Sequence, residues 1–505
     1  MKKTEQFCRS ILTNIGIKSV KAFTNLVISL SSYESARSVV ELSESPVFHH
    51  QYSSIRDGIA GIGHTAAEQE SSMSQVRDLG LSSIDFSSST RVLLQTDASS
   101  VIKAHSSCLS DRQYVKTNNN VISSNKPIST GYPISLVNIS PGVGKWSIPI
   151  DICRINSTQS ASECAAKQIN HLVSQAPLSD LLVINTLDSG YGSPAYLTPV
   201  YEQAHLVNIV RFRYGKKVWL SPSESTKAPV IGGSSIKKGA PRIYGDCYYL
   251  IDQSGAKTYH RKDVSHQVWQ NSIFDLAHQD YIELESQTSK GRALSIQIWR
   301  WKNLLIRSKN GESMKDKPFD LIASQVKDKK TGELVFNKTM FTTIHGRSKD
   351  QISTQEAFEY YRKRYDIEPS IKFAKQKLLL DKYQTPDQQH FDNWLVVVTM
   401  AFWLLFVSKD EVNYTPKKWR QYKEGKNVQG DSQDSEKAAP LTPNQVRQAT
   451  QALFLTIDPT PFLPQTSNKG KGRLKGEKLI PRPRHPVVKK GKKKRKKKII
   501  IEKIE

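Results

Sequence analysis

The chain has 505 residues, of which 37% are hydrophobic and 24% are charged, so it is long enough for more than one domain with a sizeable core. Its net charge of +26 agrees with a nucleic-acid partner. Its five cysteines form no CxxC pair and have no histidine at zinc-finger spacing, and no long apolar run follows the start. These features argue against a zinc finger, a disulfide scaffold and a signal peptide, and we expect a cytoplasmic protein with reduced thiols.

Residues 1–85 are predicted to form a helical N-terminal region. Apolar residues recur at helical spacing over Ile11–Phe23 and Tyr33–Leu42. No clear helix-turn-helix pattern stands out, so DNA-end binding and dimerisation or packing both remain open for this region.

Two aspartates each follow an apolar, strand-like run. Arg91–Thr96 leads into Asp97, and Leu181–Leu187 leads into Asp188. Short runs of aliphatic and β-branched residues that are bounded by turn residues are typical of buried strands. A carboxylate just past such a strand lies at the carboxyl edge of the sheet, where open α/β sheets bind ligands.

The segment between the two aspartates alternates like two further strands, over Tyr132–Ile139 and Trp146–Ile152. Pro133 and Pro149 each remove a backbone donor, so these strands are predicted to lie at edges or beside bulges.

Two helices and one more strand complete this part of the chain. Ser160 and Glu163 form a capping box at the start of the first helix, the second helix covers about Ala195–Ala204, and a strand follows near Leu206–Phe212. The order is strand, strand, strand, helix, strand, helix, strand. In a ribonuclease-H-like sheet the first and fourth strands are neighbours, which would bring the two aspartates side by side.

The 179 residues between Asp188 and Glu368 are far more than one helix and a loop need. Strand-like runs recur in this interval, separated by turns of which residues 232–235 and 329–332 are the clearest. The runs are Val218–Leu220, Tyr248–Ile251, Ala293–Trp301, Leu321–Val326 and Leu334–Ile344. We therefore predict a mostly β insertion over residues 216–350.

Tyr361, Arg364, Glu368 and Lys375 have the spacing Tyr-x2-Arg-x3-Glu-x6-Lys. A helix over residues 355–365 places the tyrosine and the arginine on one face. A proline directly after the glutamate fits the start of a second helix, with the lysine two turns along. One carboxylate among an aromatic ring and two cations suits a metal ion beside a phosphate backbone. The alternative is an exposed amphipathic helix with ordinary charge pairs.

The C-terminal third is predicted to contain a buried helix, a linker and a tail. Trp394–Val407 is apolar over 14 residues, too short to span a bilayer, so it is interpreted as a core helix. Residues 409–468 are predicted to be a linker with a short helix over Leu441–Leu455. Residues 469–505 are predicted to be a disordered basic tail, since 16 Lys or Arg against one Glu between Lys469 and Lys498 favour solvation and DNA affinity.

On these residues the chain resembles the DDE transposases of bacterial insertion sequences, in the branch (insertion-sequence family four) that carries the Tyr-Arg-Glu-Lys signature. The resemblance covers roughly residues 85–410 and is strongest over the signature itself, followed by Asp188-Ser-Gly-Tyr191. It implies that Asp97, Asp188 and Glu368 are catalytic and bind Mg²⁺, for which Mn²⁺ substitutes. It further implies that DNA is contacted by Tyr361, Arg364 and Lys375.

The resemblance also implies an architecture. The expected fold class is α/β, with a ribonuclease-H-like catalytic core made of a mixed five-stranded sheet and flanking helices. Residues 86–215 and 351–408 would form this core, interrupted by the β insertion. Trp299 and Trp301 alternate on one predicted strand, so they share a face. An aromatic side chain from this region contacts DNA in relatives, but packing inside the insertion is the favoured interpretation for both tryptophans.

The resemblance implies cleavage and joining of transposon ends, with the terminal inverted repeats and target DNA as partners and a homodimer in the active complex. Two metal ions about 4 Å apart activate a nucleophile and stabilise a leaving oxygen, and a freed DNA 3′-hydroxyl then serves as the second nucleophile. Two alternatives stay open. One is a ribonuclease-H-like structure-selective nuclease, and the other is a catalytically inactive DNA-binding remnant of a transposase.

Overall fold

The computed structural model describes most of the chain, with gaps at the ends and in several loops. The described residues are 2–117, 127–222, 244–261, 264–288, 291–307, 314–416, 440–457, 476, 478 and 481–489. The predicted turn at residues 232–235 and most of the basic tail lie outside the described residues.

The protein is α/β, with helices packed on a mixed ten-stranded sheet. The strands are β1 Arg91–Ile102, β2 Gln113–Lys116, β3 Ile128–Ser140, β4 Ile148–Arg154, β5 Leu182–Leu187, β6 Leu206–Phe212, β7 Lys217–Trp219, β8 Cys247–Tyr249, β9 Gly255–Arg261, β10 Val264–Gln270, β11 Asp280–Gln287, β12 Ala293–Leu304, β13 Phe319–Asp328 and β14 Met340–His345. The helices are α1 Lys3–Asn14, α2 Val20–Ser32, α3 Ser53–Ala60, α4 Ala66–Leu81, α5 Ala161–Val173, α6 Pro194–Val200, α7 Thr354–Lys363, α8 Ile367–Gln376, α9 Gln388–Ser408 and α10 Pro443–Ile457.

The sheet order is β11-β12-β13-β14-β6-β5-β1-β3-β2, with β4 also paired to β3. Strands β1, β5 and β6 are parallel to one another, and β14 joins β6 antiparallel. The strands after residue 280 therefore extend the central sheet, which has ten strands where the sequence predicted five. Strands β7 with β8, and β9 with β10, form two small separate sheets.

Strands β1 and β5 are parallel neighbours, as the sequence predicted for the first and fourth strands. Leu93 pairs with Ile184 and Thr96 pairs with Leu187, the last position of that pairing. Asp97 and Asp188 each come one residue later. Strand β1 nevertheless continues to Ile102, because it stays paired to β3 beyond the end of β5.

The two prolines have different surroundings. Pro149 lies in β4 beside a break in register between Val137 and Asn138, as the sequence predicted. Pro133 lies in β3, which is paired on both sides, so the edge prediction was wrong there. Its position explains why the sheet tolerates a residue without a backbone N–H. Strand β2 pairs with β3 up to Gly131 and β4 pairs with it from Ile134, so Pro133 falls between the two partners.

Helices cover both faces of the sheet. Helix α7 packs on one face with a buried cluster that contains Leu93, Ile184 and Phe358. Helices α5 and α9 pack on the other face, against β3 and β4. Among the described helices, α9 is the one long and apolar enough to cross a membrane, and 94% of its most apolar window is buried. It is a core helix, and its Phe402 contacts Phe373 of α8, as the sequence predicted.

The N-terminal region is helical, but its breaks differ from the predicted spans. The predicted helix over Ile11–Phe23 is interrupted after Asn14, where the chain turns and Gly16 donates its backbone N–H to Gln75 of α4. The predicted helix over Tyr33–Leu42 was wrong, since only a short 3-10 turn begins at Val40.

Part of the basic tail is ordered on the core. Residues 481–489 run beside β2, where the Val488 backbone N–H donates to the Arg112 carbonyl at 2.7 Å and the His485 N–H donates to Ser107 at 2.9 Å. Arg112 in turn donates its guanidinium to the His485 carbonyl at 3.1 Å. The prediction of disorder was therefore wrong for this segment, because backbone pairing holds it in spite of its charge.

Candidate active site

Side-chain alternation directs the two aspartates to one face of the sheet. Asp97 shares the side of β1 on which Leu93 contacts α7, and Asp188 shares the side of β5 that carries Ile184. Both side chains are half-buried. They therefore lie on neighbouring strands, at equivalent register, below the junction of α7 and α8.

Glu368 reaches this edge from the first turn of α8. A single 3-10 turn, Arg364–Asp366, separates it from α7, so the chain bends just before the glutamate. Its carboxylate is 55% exposed. A negative side chain in the first turn of a helix is stabilised by the unpaired backbone donors there.

Arg364 lies between two of the carboxylates. Its Nη2 donates to Glu368 Oε1 at 2.9 Å, and its Nη1 is 3.8 Å from Asp97 Oδ2. The guanidinium also lies over the ring of Tyr365 at 4.5 Å and over that of Tyr361 at 5.8 Å. Arg364 and Tyr361 thus share a face. Only 5% of the Arg364 side chain is exposed, so its two Nη groups face protein carboxylates, while its Nε has no hydrogen-bond partner among the described residues.

The pKa of Asp97 depends on the charges of the other two acids. Burial raises the pKa of the Asp97 carboxyl, and the nearby negative charges of Asp188 and Glu368 raise it further. The backbone N–H of Ala98, which donates to Asp97 at 2.8 Å, and the Arg364 guanidinium act in the opposite direction. Mutual repulsion of this kind is expected where carboxylates share a site, and a bound cation would relieve it.

Two tyrosines lie beneath the acids. Tyr361 is fully buried, and burial raises its pKa to about 12. Tyr191 is also buried, with its pKa raised by burial and by the charge of Asp97. Neither phenol oxygen has a hydrogen-bond partner among the described residues. Buried unpaired hydroxyls are uncommon and point towards a group that the site still has to receive.

Lys375 lies further along α8, half-buried against β1. Its ammonium donates to the Ser100 carbonyl at 2.7 Å, and burial lowers its pKa. In this arrangement Lys375 ties α8 to the strand that carries Asp97. A role in gripping DNA phosphates requires it to leave that carbonyl.

A polar network that the sequence did not single out fixes the α7–α8 junction on the sheet. Gln95 and Asn138 are directly opposed on β1 and β3. The Gln95 amide donates to the Lys363 carbonyl at 2.5 Å. Asn138 donates to the Ser370 hydroxyl at 3.0 Å, and that hydroxyl donates to Ser147 at 2.8 Å. These bonds hold the last turn of α7 and the first turns of α8 in place.

A second network joins the strands on the opposite face. Thr96 donates to Asn185 at 2.9 Å, Asn185 donates to the Tyr196 hydroxyl at 2.8 Å, and that hydroxyl donates to Asn208 at 2.6 Å. All four side chains are fully buried. A signal existed in the sequence: single polar residues stand inside otherwise apolar strands, directly before the aspartates.

The site's donor chemistry fits Mg²⁺, which prefers carboxylate oxygens. No group of three His, Cys, Asp or Glu side chains in the described ranges is arranged to hold a metal ion. Two of the three acids, Asp97 and Glu368, contact the cationic side chain of Arg364.

Trp299 and Trp301 lie in β12, on the same face, and both contact Phe274 edge-on. Trp301 is 1% exposed and donates its indole N–H to the Leu276 carbonyl at 2.9 Å. Trp299 is half-buried beside Tyr281. These contacts are those of the packing interpretation, and a DNA contact would require Trp301 to leave the core.

Comparison with protein-family models and with curated proteins finds no match to this chain.

Proposed function

We propose that the chain is a DNA transposase that cuts and joins the ends of an insertion sequence. The observation that carries the proposal is the convergence of Asp97 and Glu368 on Arg364, with Asp188 at the equivalent position of the neighbouring parallel strand. The acids come from three separate elements, which is typical of a reaction centre and untypical of surface charge pairs.

The connectivity supports a ribonuclease-H-like core. Strands β1, β3 and β4, helix α5, strand β5, helix α6 and strand β6 follow in that order, and β1 is parallel to β5. The glutamate then arrives on a helix after a long β insertion. This is the order in which the resembling transposases carry their acidic residues.

Asp97, Asp188 and Glu368 would hold Mg²⁺ or Mn²⁺, which activates the attacking oxygen and stabilises the leaving oxygen when bound. The chain's own contribution is placement. The network of Gln95 and Asn138 fixes the α8 turn, and Asn185 fixes the strand ends. Arg364 contacts two of these carboxylates and would neutralise part of their charge.

Exposed cations flank the site and suit a phosphate backbone. Arg211 and Arg213 project from the end of β6, next to the strand that carries Asp188. A groove of about 450 Å³ begins at Ser189 and is also lined by Arg213 and Lys216. Arginine and lysine at the mouth of an acidic site position DNA without reading its sequence. Such a protein acts in the bacterial cytoplasm, on DNA, as a homodimer that pairs two ends.

A structure-selective nuclease on the same core is the second candidate, because three carboxylates serve hydrolysis equally well. An inactive remnant is the third. The test uses DNA that carries this gene with its native flanks, incubated with the full chain and Mg²⁺. Cleavage at element boundaries, followed by joining of the freed 3′ ends to a second DNA, is expected. Cleavage without joining would favour the nuclease, and no metal-dependent cleavage of any DNA would favour the remnant.

A further inference from the structure

A groove lies away from the acidic residues, between the N-terminal helices and the ordered part of the tail. Its volume is about 1180 Å³. One wall is α3 with the residue before it, a second is the segment Lys382–His390, and the third is the tail segment around His485. Three parts of the chain that are distant in sequence thus build one concave surface.

The groove is lined by three exposed cations, Arg56, Lys382 and Arg482. Among the described residues, neither Arg56 nor Arg482 forms an ion pair, and both side chains are exposed. Lys382 is exposed on the second wall, 4.0 Å from Asp381. Asp387 also lines the groove, but its carboxylate caps α9 by accepting the Gln389 N–H at 2.7 Å. Asp57 is the other lining acid, so cations outnumber free carboxylates.

An aromatic ring stands among these cations. Tyr52 lines the groove at the start of α3 and is 56% exposed. Exposed aromatic rings beside a line of cations are the features that bind single-stranded nucleic acid, since bases stack on the ring while phosphates pair with the cations.

The groove is connected to the acidic site through β1. Lys375 bonds to Ser100 near the end of that strand, and Lys103, directly after it, donates to the carbonyls of Asp381 at 3.4 Å and of Tyr383. The groove wall at Lys382 is therefore fixed to the strand that carries Asp97. A DNA strand that leaves the acidic site along this end of β1 would reach the groove.

We propose that this groove binds a single DNA strand, with Arg56, Lys382 and Arg482 on its phosphates and Tyr52 stacked on a base. The proposal rests on the proposed function for the identity of the nucleic acid. It also assigns a task to the tail segment, whose backbone bonds to β2 bring Arg482 to the groove.

The test measures binding of a fluorescently labelled single-stranded DNA of random sequence to the full chain, by anisotropy over a range of salt concentrations without divalent metal. The triple variant R56A/K382A/R482A removes three groove cations. Its matched control, K302A/K330A/K338A, removes three exposed cations of the β insertion. Each phosphate contact on single-stranded DNA contributes about 0.7 to the salt slope, so the groove variant should lose about 2 and the control close to nothing.

Tyr52 supplies a second, independent readout. Y52A should weaken single-strand binding by about fivefold or more, whereas Y52F keeps the ring and should bind like wild type. The same variants should change duplex binding less. Equal effects of the two triple variants, or equal effects of Y52A and Y52F, would overturn the groove assignment.

The readout needs no cleavage, so the two proposals fail separately. A chain that cleaves and joins DNA but shows no difference between the triple variants would refute the groove alone. A chain that binds through the groove but never cleaves would refute the transposase and keep the groove. Thermal unfolding of each variant checks that the fold is intact.

Discussion

Arg364 donates to Glu368, four residues further along the chain, with Nη2 2.9 Å from Oε1. The other end of the same guanidinium faces Asp97 on β1. The half-buried Asp97 and the exposed Glu368 thus share one buried cation that is part of the protein. If the proposed function holds, a bound divalent ion would take over this charge-neutralising role.

Removing this arginine is predicted to lower the stability of the protein and to raise its affinity for metal. R364A should destabilise the metal-free protein by about 1–3 kcal/mol, since Asp97 loses its counter-charge in a half-buried site. Mg²⁺ should then raise the thermal unfolding midpoint of R364A by more than that of wild type, because the competing cation is gone. Differential scanning fluorimetry with and without Mg²⁺ measures both effects.

The neighbouring Arg362 is exposed and contacts the ring of Phe358, so R362A is the matched control and should behave like wild type in both measurements. A Mg²⁺ response in R364A no larger than that of wild type would contradict the competition.

The Gln95 network is predicted to act on catalysis through position. Q95L should cost about 1–3 kcal/mol of stability, because it leaves the buried Lys363 carbonyl without its donor. It should slow DNA cleavage through the position of the α7–α8 turn. It should leave DNA affinity unchanged, since Gln95 is not among the proposed DNA contacts. Single-turnover cleavage and DNA binding, measured on the same preparation, separate the two. An unchanged cleavage rate in a destabilised Q95L protein would show that the network is structural only.

Asp151 is predicted to make stability depend on pH. It is buried in β4 and accepts from Gln168 at 3.0 Å, and burial, with the charge of Glu70 adding to it, raises its pKa from 3.8 to about 6. A raised pKa means that the folded state holds the proton more tightly. Its stabilising contribution is therefore complete below pH 3.8 and is lost as the pH rises through about 6.

D151N removes this dependence, so the variant should gain stability relative to wild type as the pH rises from 4 to 8, by an amount on the order of 2–3 kcal/mol. Denaturant unfolding at several pH values tests it, with D316N, an exposed aspartate, as the control. Parallel pH profiles of wild type and D151N would contradict the assignment.

The tail is predicted to consist of two parts with different effects. A chain that ends at Lys489 should keep its stability and lose non-specific DNA affinity, because it loses charge but no described contact. A chain that ends at Ile480 should also lose stability, by about 1–3 kcal/mol, since Nη2 and the carbonyl of Arg112 lose their partners. Thermal unfolding of both chains measures this difference. Equal stability of the two chains would show that residues 481–489 contribute little to the fold.

Local sequence patterns predicted the helices and strands themselves better than they predicted which elements pair with one another. The apolar runs before Asp97 and Asp188 predicted two strands, and the strand order of a ribonuclease-H-like sheet predicted that these strands are neighbours, which the structure confirms. The extension of the sheet by β11–β14 could not be predicted, since pairing of β14 with β6 depends on contacts between residues more than a hundred positions apart. The order of residues 481–489 was missed for the same reason: their composition indicates solvation, while β2 offers an unpaired edge.

At the site, spacing predicted which residues come together but not how. The helical period placed Tyr361 and Arg364 on one face. It could not predict that Arg364 turns inward to Asp97, because that depends on the depth of the α7–α8 turn above the sheet. Lys375 was likewise predicted to face DNA, and the structure pairs it with the Ser100 carbonyl instead.

The most direct test of the account is metal-dependent cleavage by single carboxylate variants. D97N, D188N and E368Q keep the size of each side chain and remove its charge. Asp366, a half-buried acid in the same turn as Glu368, provides the matched control D366N. The assay follows cleavage of DNA carrying the gene and its flanks, in Mg²⁺ and in Mn²⁺, together with DNA binding. The account predicts that each of the three variants loses cleavage by several orders of magnitude and keeps its DNA affinity, while D366N cleaves. Cleavage at the wild-type rate by any one of the three would contradict a shared metal site at these residues.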